Sequence, residues 1–361
     1  MAGFRELVGI NRVARILVLL LAGSVLAETQ SAPASSSTAS RPSQSLQSES
    51  ANPDVAVVRK LLQQGKYDDA IAELQDIKIK NPRLRWLSRE LGAANYAKGD
   101  YVKATEFLRQ AIEEDPNDNE AIQLLGLSYY LSGRPADAIP HLEKVQSWYP
   151  RANVNAAYIL GMCYMQTHDY EKARKAFARM YDVPQDSAAS YLFTARMLLR
   201  QEFEPVAQEY AQKAVALDPK LPRAHFLLGE LHMFKSKIPE AIDEFNKELA
   251  INPGDAATYY KLGDAYSRVQ KYEEAEQVLQ RSIWLDATST GPYILMGKVL
   301  AKKGEGQLAV RALQHALSMD PNNSVAHHLL GQTYRDLGRA EDAEKELKLA
   351  EQLTNRETER P

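Results

Sequence analysis

Apolar and small residues in this chain return every three or four positions, and the whole pattern returns at intervals of 34 residues, or of 34 plus one. Its clearest marker is a Leu-Gly pair at Leu91-Gly92, Leu125-Gly126, Leu160-Gly161, Leu228-Gly229, Leu262-Gly263 and Leu330-Gly331. The short spacing is one face of an α-helix, and the long one marks a helix-turn-helix unit repeated along the chain. Units begin at Ala51, Arg85, Asn119, Val154, Ala188, Pro222, Ala256, Thr290 and Ser324, nine in all. Numbering each from 1, positions 4, 7, 8 and 11 of the first helix share a face, which in the third unit carries Ile122, Leu125, Gly126 and Tyr129. That face must be buried against the second helix. Position 8 (Gly126, Gly161, Gly263) and position 20 (Ala104, Ala138, Ala173, Ala275) have almost no side chain, so the backbones can approach there while Leu142 or Phe245 at position 24 fills the space alongside.

Proline at position 32 (Pro82, Pro116, Pro150, Pro219, Pro253, Pro321) cannot continue a helix, so each unit stops where the next must turn. Pro135, Pro205 and Pro239 fall where second helices begin, where a missing N–H costs little. Pro140 lies a turn further in, and a local kink is expected there. Small residues at 8 and 20, large ones at 7, 11 and 24, and a proline at 32 resemble the tetratricopeptide repeat family, exported bacterial type, over Ala51 to about Asn355. The resemblance implies an all-α fold, a right-handed superhelical solenoid of about nine repeats at 51–84, 85–118, 119–153, 154–187, 188–221, 222–255, 256–289, 290–323 and 324–357.

Two units depart from the pattern. The fifth has Thr194 and Ala195 at positions 7 and 8 and only Ala211 at 24, which predicts a thin second helix. The first carries Val57 and Val58, as terminal repeats often depart from consensus. After Ala343 the charges of Glu344, Lys345, Glu346, Lys348 and Glu351 predict a last helix that solvates the open end by itself.

The amino terminus is a different kind of sequence. Arg5, Arg12 and Arg15 precede an apolar run from Ile16 to Ala27 that ends in Val25-Leu26-Ala27, which reads as a signal peptide at 1–27 cleaved after Ala27. An uncleaved anchor that tethers the chain is the alternative. Residues 28–50 are rich in Ser, Thr, Pro and Gln and cannot bury enough apolar surface to repay ordering, so they are expected to be a disordered linker. Cleavage puts the protein outside the cytoplasm, periplasmic or secreted, with no stable membrane insertion of the mature chain.

Charged residues are 25% of the chain and its formal net charge is −3, falling to −5 once the three Arg and one Glu of residues 1–27 are gone. Such a balance argues against general nucleic-acid binding, which needs a basic surface. The single cysteine, Cys163, excludes an intramolecular disulfide and reads as a buried, unpaired thiol. His225 and His232, at core-type positions 4 and 11, read as a packed polar pair rather than metal ligands, since no third ligand has the spacing of a zinc site. No phosphate loop, nucleophile elbow or paired-carboxylate signature is present. No enzymatic activity, catalytic residue, cofactor or metal is therefore expected.

What remains is the concave face that the resemblance implies, formed by positions 2, 5, 9, 12 and 13 of the first helices. In units three to seven the expected partner-binding groove is Tyr130, Tyr158, Met162, Met165, Leu192, Arg196, Leu199, Arg200, Arg223, Phe226, Met233, Phe234 and Tyr260. Flat rings and flexible thioethers suit an adaptable peptide site, and interleaved arginines suit carboxylates. Positions 5 and 12 also face the neighbouring repeat, so each member alone is compatible with inter-repeat core, and the expectation rests on the cluster. Further along, Lys298, Lys302, Gln332, Arg335 and Asp336 read as ordinary solvated surface. Two family subtypes are not matched: no unit has Lys at 5 or Asn at 9, as a terminal-carboxylate clamp requires, and position 6 carries no asparagine ladder. The expected function is a non-enzymatic scaffold holding an extended peptide or protein in the groove. The alternative is a saccharide-binding accessory of polysaccharide secretion or envelope assembly, stacking sugars on Trp86, Tyr130, Tyr158 and Tyr260. Self-association through the open ends is a further option.

Overall fold

A computed structural model of the protein describes residues 53–358 apart from 83, 85, 149–153 and 201–203. The signal peptide expected at 1–27 and the linker at 28–50 lie outside the described residues. Among the described residues there are eighteen α-helices and no strand. They fall into two compact units that divide between Met180 and Tyr181. The first unit holds α1 (Pro53–Gln63), α2 (Tyr67–Lys80), α3 (Trp86–Lys98), α4 (Tyr101–Glu114), α5 (Asn119–Leu131), α6 (Pro135–Trp148), α7 (Val154–Gln166) and α8 (Tyr170–Met180). The second holds α9 (Ala188–Arg200), α10 (Glu204–Leu217), α11 (Ala224–Phe234), α12 (Ile238–Ile251) and α13 (Ala256–Arg268). It continues with α14 (Tyr272–Leu285), α15 (Thr290–Lys302), α16 (Gly306–Met319), α17 (Ser324–Asp336) and α18 (Ala340–Thr358).

Odd-numbered helices are the first members of each hairpin and even-numbered ones the second. Where position 15 is described, the hairpin turns on it with left-handed backbone: φ is +72° at Gly65, +91° at Gly99, +76° at Gly133, +83° at Gly304 and +75° at Gly338. His168, Ser236 and Gln270 hold the same place at φ 62°, 56° and 62°. The turn is a helix stop in which the next amide reaches back, as Asp100 N–H does to Asn95 O at 2.9 Å and Arg134 N–H to Tyr129 O at 2.9 Å.

Within a hairpin, the position-24 side chain sits directly on the position-8 glycine. A Cβ added at Gly161 would lie 2.5 Å from Phe177 Cε1, and one at Gly126 would lie 3.0 Å from Leu142 Cδ2. Phe177, Phe245, Leu108 and Leu142 are wholly buried by this contact, and the position-20 alanines Ala104, Ala138, Ala173, Ala207, Ala241, Ala275 and Ala309 are at 0% exposure. The fifth hairpin compensates for its small Ala211: Tyr210, one residue earlier, is buried and meets Tyr191 edge-on with ring centroids 5.4 Å apart. Pro140 stands inside α6 on its exposed side, and the helix runs unbroken to Trp148.

Successive hairpins are joined by short polar turns. Asp115 and Asp218 fold back to accept from Asn117 N–H (2.9 Å) and Lys220 N–H (3.0 Å), and Asp118 and Asn323 cap the next helices by accepting from Ala121 N–H (2.9 Å) and Ala326 N–H (3.0 Å). In each compact unit the second helix of one hairpin packs on the first helix of the next. First helices also touch one another, α3 with α5 and α5 with α7 in one unit, α11 with α13, α13 with α15 and α15 with α17 in the other, with no comparable contact between consecutive second helices among the described residues. At the carboxy-terminal end, Glu344 and Glu351 of α18 are exposed at positions where α16 has the buried Val310 and the half-buried Leu317.

Candidate functional site

Each first helix spends positions 4, 7, 8 and 11 on its own hairpin, and what it leaves open is a stripe centred on positions 9 and 13. In the second compact unit that stripe exposes Arg196 and Arg200 on α9, Phe234 on α11, Arg268 on α13, Lys298 and Lys302 on α15, and Arg335 and Asp336 on α17. Phe234 is 73% exposed, which is unusual for an aromatic ring with apolar surface to bury.

The thirteen groove residues divide by burial. Met162 (4%), Met165 (0%), Leu192 (4%), Phe226 (7%) and Met233 (9%) are buried and belong to the core, Met162 even though its position 9 is exposed at Arg196 and Lys298. Phe226 meets Phe245 with ring centroids 5.9 Å apart and joins a cluster with Ala241, Leu262 and Ala265. Tyr130, Tyr158, Leu199, Arg223 and Tyr260 are half-buried, and Arg196, Arg200 and Phe234 are exposed. Trp86 is also half-buried, so none of the four rings proposed to stack on sugars is fully open.

Arg223 has a structural occupation. Its guanidinium lies 3.7 Å above the Phe226 ring and pairs with Asp255 at 2.5 Å, while its backbone N–H donates to the buried carboxylate of Glu248 at 2.7 Å. Glu248 also accepts from Phe226 N–H at 3.3 Å, so a carboxylate of α12 closes the start of α11. Its burial at 0% was not legible in the sequence, where position 27 carries no fixed residue type.

The other charges of the stripe differ in whether they are neutralised. Glu230 pairs with Lys261 at 3.0 Å and Asp264 with Arg268 at 3.0 Å. Arg196, Arg200, Lys298, Lys302 and Arg335 have no carboxylate within ion-pair distance among the described residues. In the first compact unit the equivalent stripe is largely apolar, with Leu127, Tyr130, Leu131, Tyr158, Met162 and Met165; Arg59 is exposed at position 9 of the first hairpin, and Arg89 at position 5 of the second is held by Glu90 (3.1 Å), Asp118 (3.5 Å) and Glu120 (3.7 Å).

Two of the histidines, His225 and His327, serve packing. Instead of meeting His232, the His225 ring sits between Glu244 Oε2 (2.6 Å) and the Pro219 carbonyl (3.3 Å). His327 repeats the arrangement with Glu346 Oε2 (2.5 Å) and the Pro321 carbonyl (3.0 Å). Each therefore ties a first helix to its own second helix and to the turn arriving from the previous hairpin. Among the described residues, no group of three His, Cys, Asp or Glu side chains could hold a metal, and no helix is long and apolar enough to cross a membrane. Cys163 is buried, and burial pushes its thiol up to about 12.

Family models described as "Tetratricopeptide repeat" match residues 58–119 and 194–256, 244–277, and 300–358. The chain belongs to the tetratricopeptide repeat family. A further model, "Anaphase-promoting complex, cyclosome, subunit 3", matches residues 97–180. The chain is 31% identical to the Intraflagellar transport protein 88 homolog of Homo sapiens over 103 residues, 27% of this chain and 12% of that protein. It is 26% identical to Anaphase-promoting complex subunit 3 of Schizosaccharomyces pombe over 154 residues, 43% of this chain and 23% of that protein. The matches thus span less than a quarter of those two relatives' own lengths. Among solved structures, YrrB, titled a TPR protein with an unusual peptide-binding site, aligns with TM-score 0.44 at 24% identity over 50% of this chain and 93% of that one.

Proposed function

We propose that the protein is a non-enzymatic scaffold that holds an extended segment of a partner protein along the open stripe of its first helices. The observation that carries this reading is the division of labour within each hairpin. Nearly all the apolar surface of the first helices is consumed by core packing, yet Phe234 stays open beside exposed arginines at the same two stripe positions of neighbouring repeats. A row of rigid helices offering one open aromatic and several cations suits a peptide, which brings apolar side chains, carboxylates and backbone carbonyls together. Membership of a repeat family built for extended binding surfaces supports the same reading.

Selection of random twelve-residue peptides on the full chain, followed by photocrosslinking from a benzoylphenylalanine placed at Phe234, tests it. Selected peptides are expected to crosslink at that site and to lose affinity on Phe234→Ala. No enriched peptide, or crosslinks insensitive to competition by the free peptide, would sink the reading.

Export is proposed on the sequence of residues 1–27 alone. Intact mass measurement of the protein recovered from an exporting host is expected to give a chain beginning at Glu28. A chain that retains residues 1–27 in the membrane fraction would replace cleavage with tethering.

A further inference from the structure

The charge of the second compact unit is unevenly placed. Residues 181–361 contain 22 Lys and Arg against 27 Asp and Glu, a formal −5. Positions 2, 5, 9, 12 and 13 of the five first helices in that unit carry seven Lys and Arg against three carboxylates, Glu230, Asp264 and Asp336. An acidic body therefore presents a basic stripe. Two of the three carboxylates are already consumed, Glu230 by Lys261 and Asp264 by Arg268. The cations without a partner stand in two groups: Arg196 and Arg200 on α9, and Lys298, Lys302 and Arg335 on α15 and α17. Between them lie α11 and α13, whose charges cancel locally and whose open feature is the Phe234 ring.

We propose that this stripe takes an acidic segment of a protein partner, its carboxylates engaging the two cationic groups and an apolar side chain between them resting on Phe234. The proposal rests on the reading of the stripe as a ligand surface and adds the chemical class of the ligand. Unpaired like charges held in a row on rigid helices repel one another, and an anionic partner removes that cost while gaining charge-assisted hydrogen bonds. Helices in direct contact lie roughly 8–10 Å apart; α11, α13 and α15 touch in series and α9 precedes α11 without a comparable contact, so α9 to α15 spans at least on the order of 25–30 Å. An extended chain covers that distance in about eight or nine residues. A polynucleotide fits less well, because its uniform run of phosphates would cross the cancelled middle and the acidic surroundings.

Fluorescence anisotropy on the full chain tests the proposal, using a labelled ten-residue peptide with two glutamates at each end and a central phenylalanine. Its comparators are the same peptide with glutamine for glutamate and a single-stranded oligothymidine. The glutamate peptide is expected to bind about tenfold or more tightly than the glutamine peptide, with affinity falling as salt rises from about 50 to about 300 mM. Arg196→Glu with Arg200→Glu, and separately Lys298→Glu with Lys302→Glu, are each expected to weaken it about tenfold or more. Arg281→Glu with Arg311→Glu changes the net charge equally on exposed faces of second helices and is expected to change affinity by less than about threefold, and circular dichroism is expected to show all variants equally helical. Equal affinity for the glutamate and glutamine peptides, or an equal loss in the Arg281/Arg311 control, would overturn the acidic assignment. Tighter binding of oligothymidine with the same sensitivity to the stripe variants would overturn it too. If peptides selected as above bind while the glutamate peptide does not, only the acidic assignment falls. If neither binds, the ligand surface falls with it.

Discussion

At the scale of single residues, the repeat is a set of size constraints, and their tightness varies from hairpin to hairpin. The glycine at position 8 is required in proportion to what position 24 presses on it. An added methyl at Gly161 meets an immobile aromatic edge at 2.5 Å, whereas at Gly126 it meets a leucine branch at 3.0 Å that can rotate aside. Gly161→Ala is expected to cost about 1–3 kcal/mol through overpacking, and Gly126→Ala less than about 1 kcal/mol because alanine's higher helix propensity offsets part of the clash. Urea denaturation followed by circular dichroism separates the two, and equal losses would show that the aromatic edge is not the cause. Cys163 illustrates burial acting on chemistry. With its thiol pushed up to about 12, only about one molecule in ten thousand carries the thiolate near pH 8, so native protein should not react with a disulfide reagent that labels it fully in guanidinium. Rapid labelling of the native fold would place the thiol at an accessible site.

Hairpins and their junctions form the next scale, where polar side chains replace apolar contact. His327 joins α17 to α18 through Glu346 and to the preceding turn through the Pro321 carbonyl, and it is 7% exposed. Removing it strands a partly buried carboxylate and a carbonyl, so His327→Ala is expected to cost about 1–3 kcal/mol. His328, adjacent and exposed, should tolerate the same change within about 0.5 kcal/mol. The hairpins themselves were legible from Leu125, Gly126, Ala138 and Leu142, because a helix face and a close approach each restrict residue size at a set spacing. The histidine junctions were not, because Glu244 and Glu346 lie 19 residues from their histidines and nothing local marks the pair. The glycines at position 15, Gly65, Gly99, Gly133, Gly304 and Gly338, coincide with the left-handed turn and were a signal left unread in the spacing, and His168, Ser236 and Gln270 occupy the same place without one.

Over the whole molecule, contacts run almost entirely between neighbours in the chain, so damage should stay near where it is made. Hydrogen exchange on His327→Ala is expected to accelerate in α16, α17 and α18 and to leave α11 and α12 at wild-type rates. Uniform acceleration across residues 188–336 would mean that the second compact unit opens cooperatively as one body. The same serial construction explains the candidate site. The surface that the first helices leave open takes its character from the side chains at positions 9 and 13, mostly apolar or uncharged in the first compact unit apart from Arg59, and predominantly basic in the second.

Sequence alone determined the hairpin, its period, its turns and its family, because each is a local rule about size and backbone geometry repeated often enough to read. Which members of the expected groove remain open was decided only by tertiary packing. Met162, Met165, Leu192, Phe226 and Met233 carry the same apolar character as Phe234, but folding buries them and leaves Phe234 uncovered. Whether an arginine is occupied, as Arg223 is by Asp255 and the Phe226 ring, or unpaired, as Arg196 and Arg200 are, likewise depends on partners brought close by folding rather than by spacing along the chain.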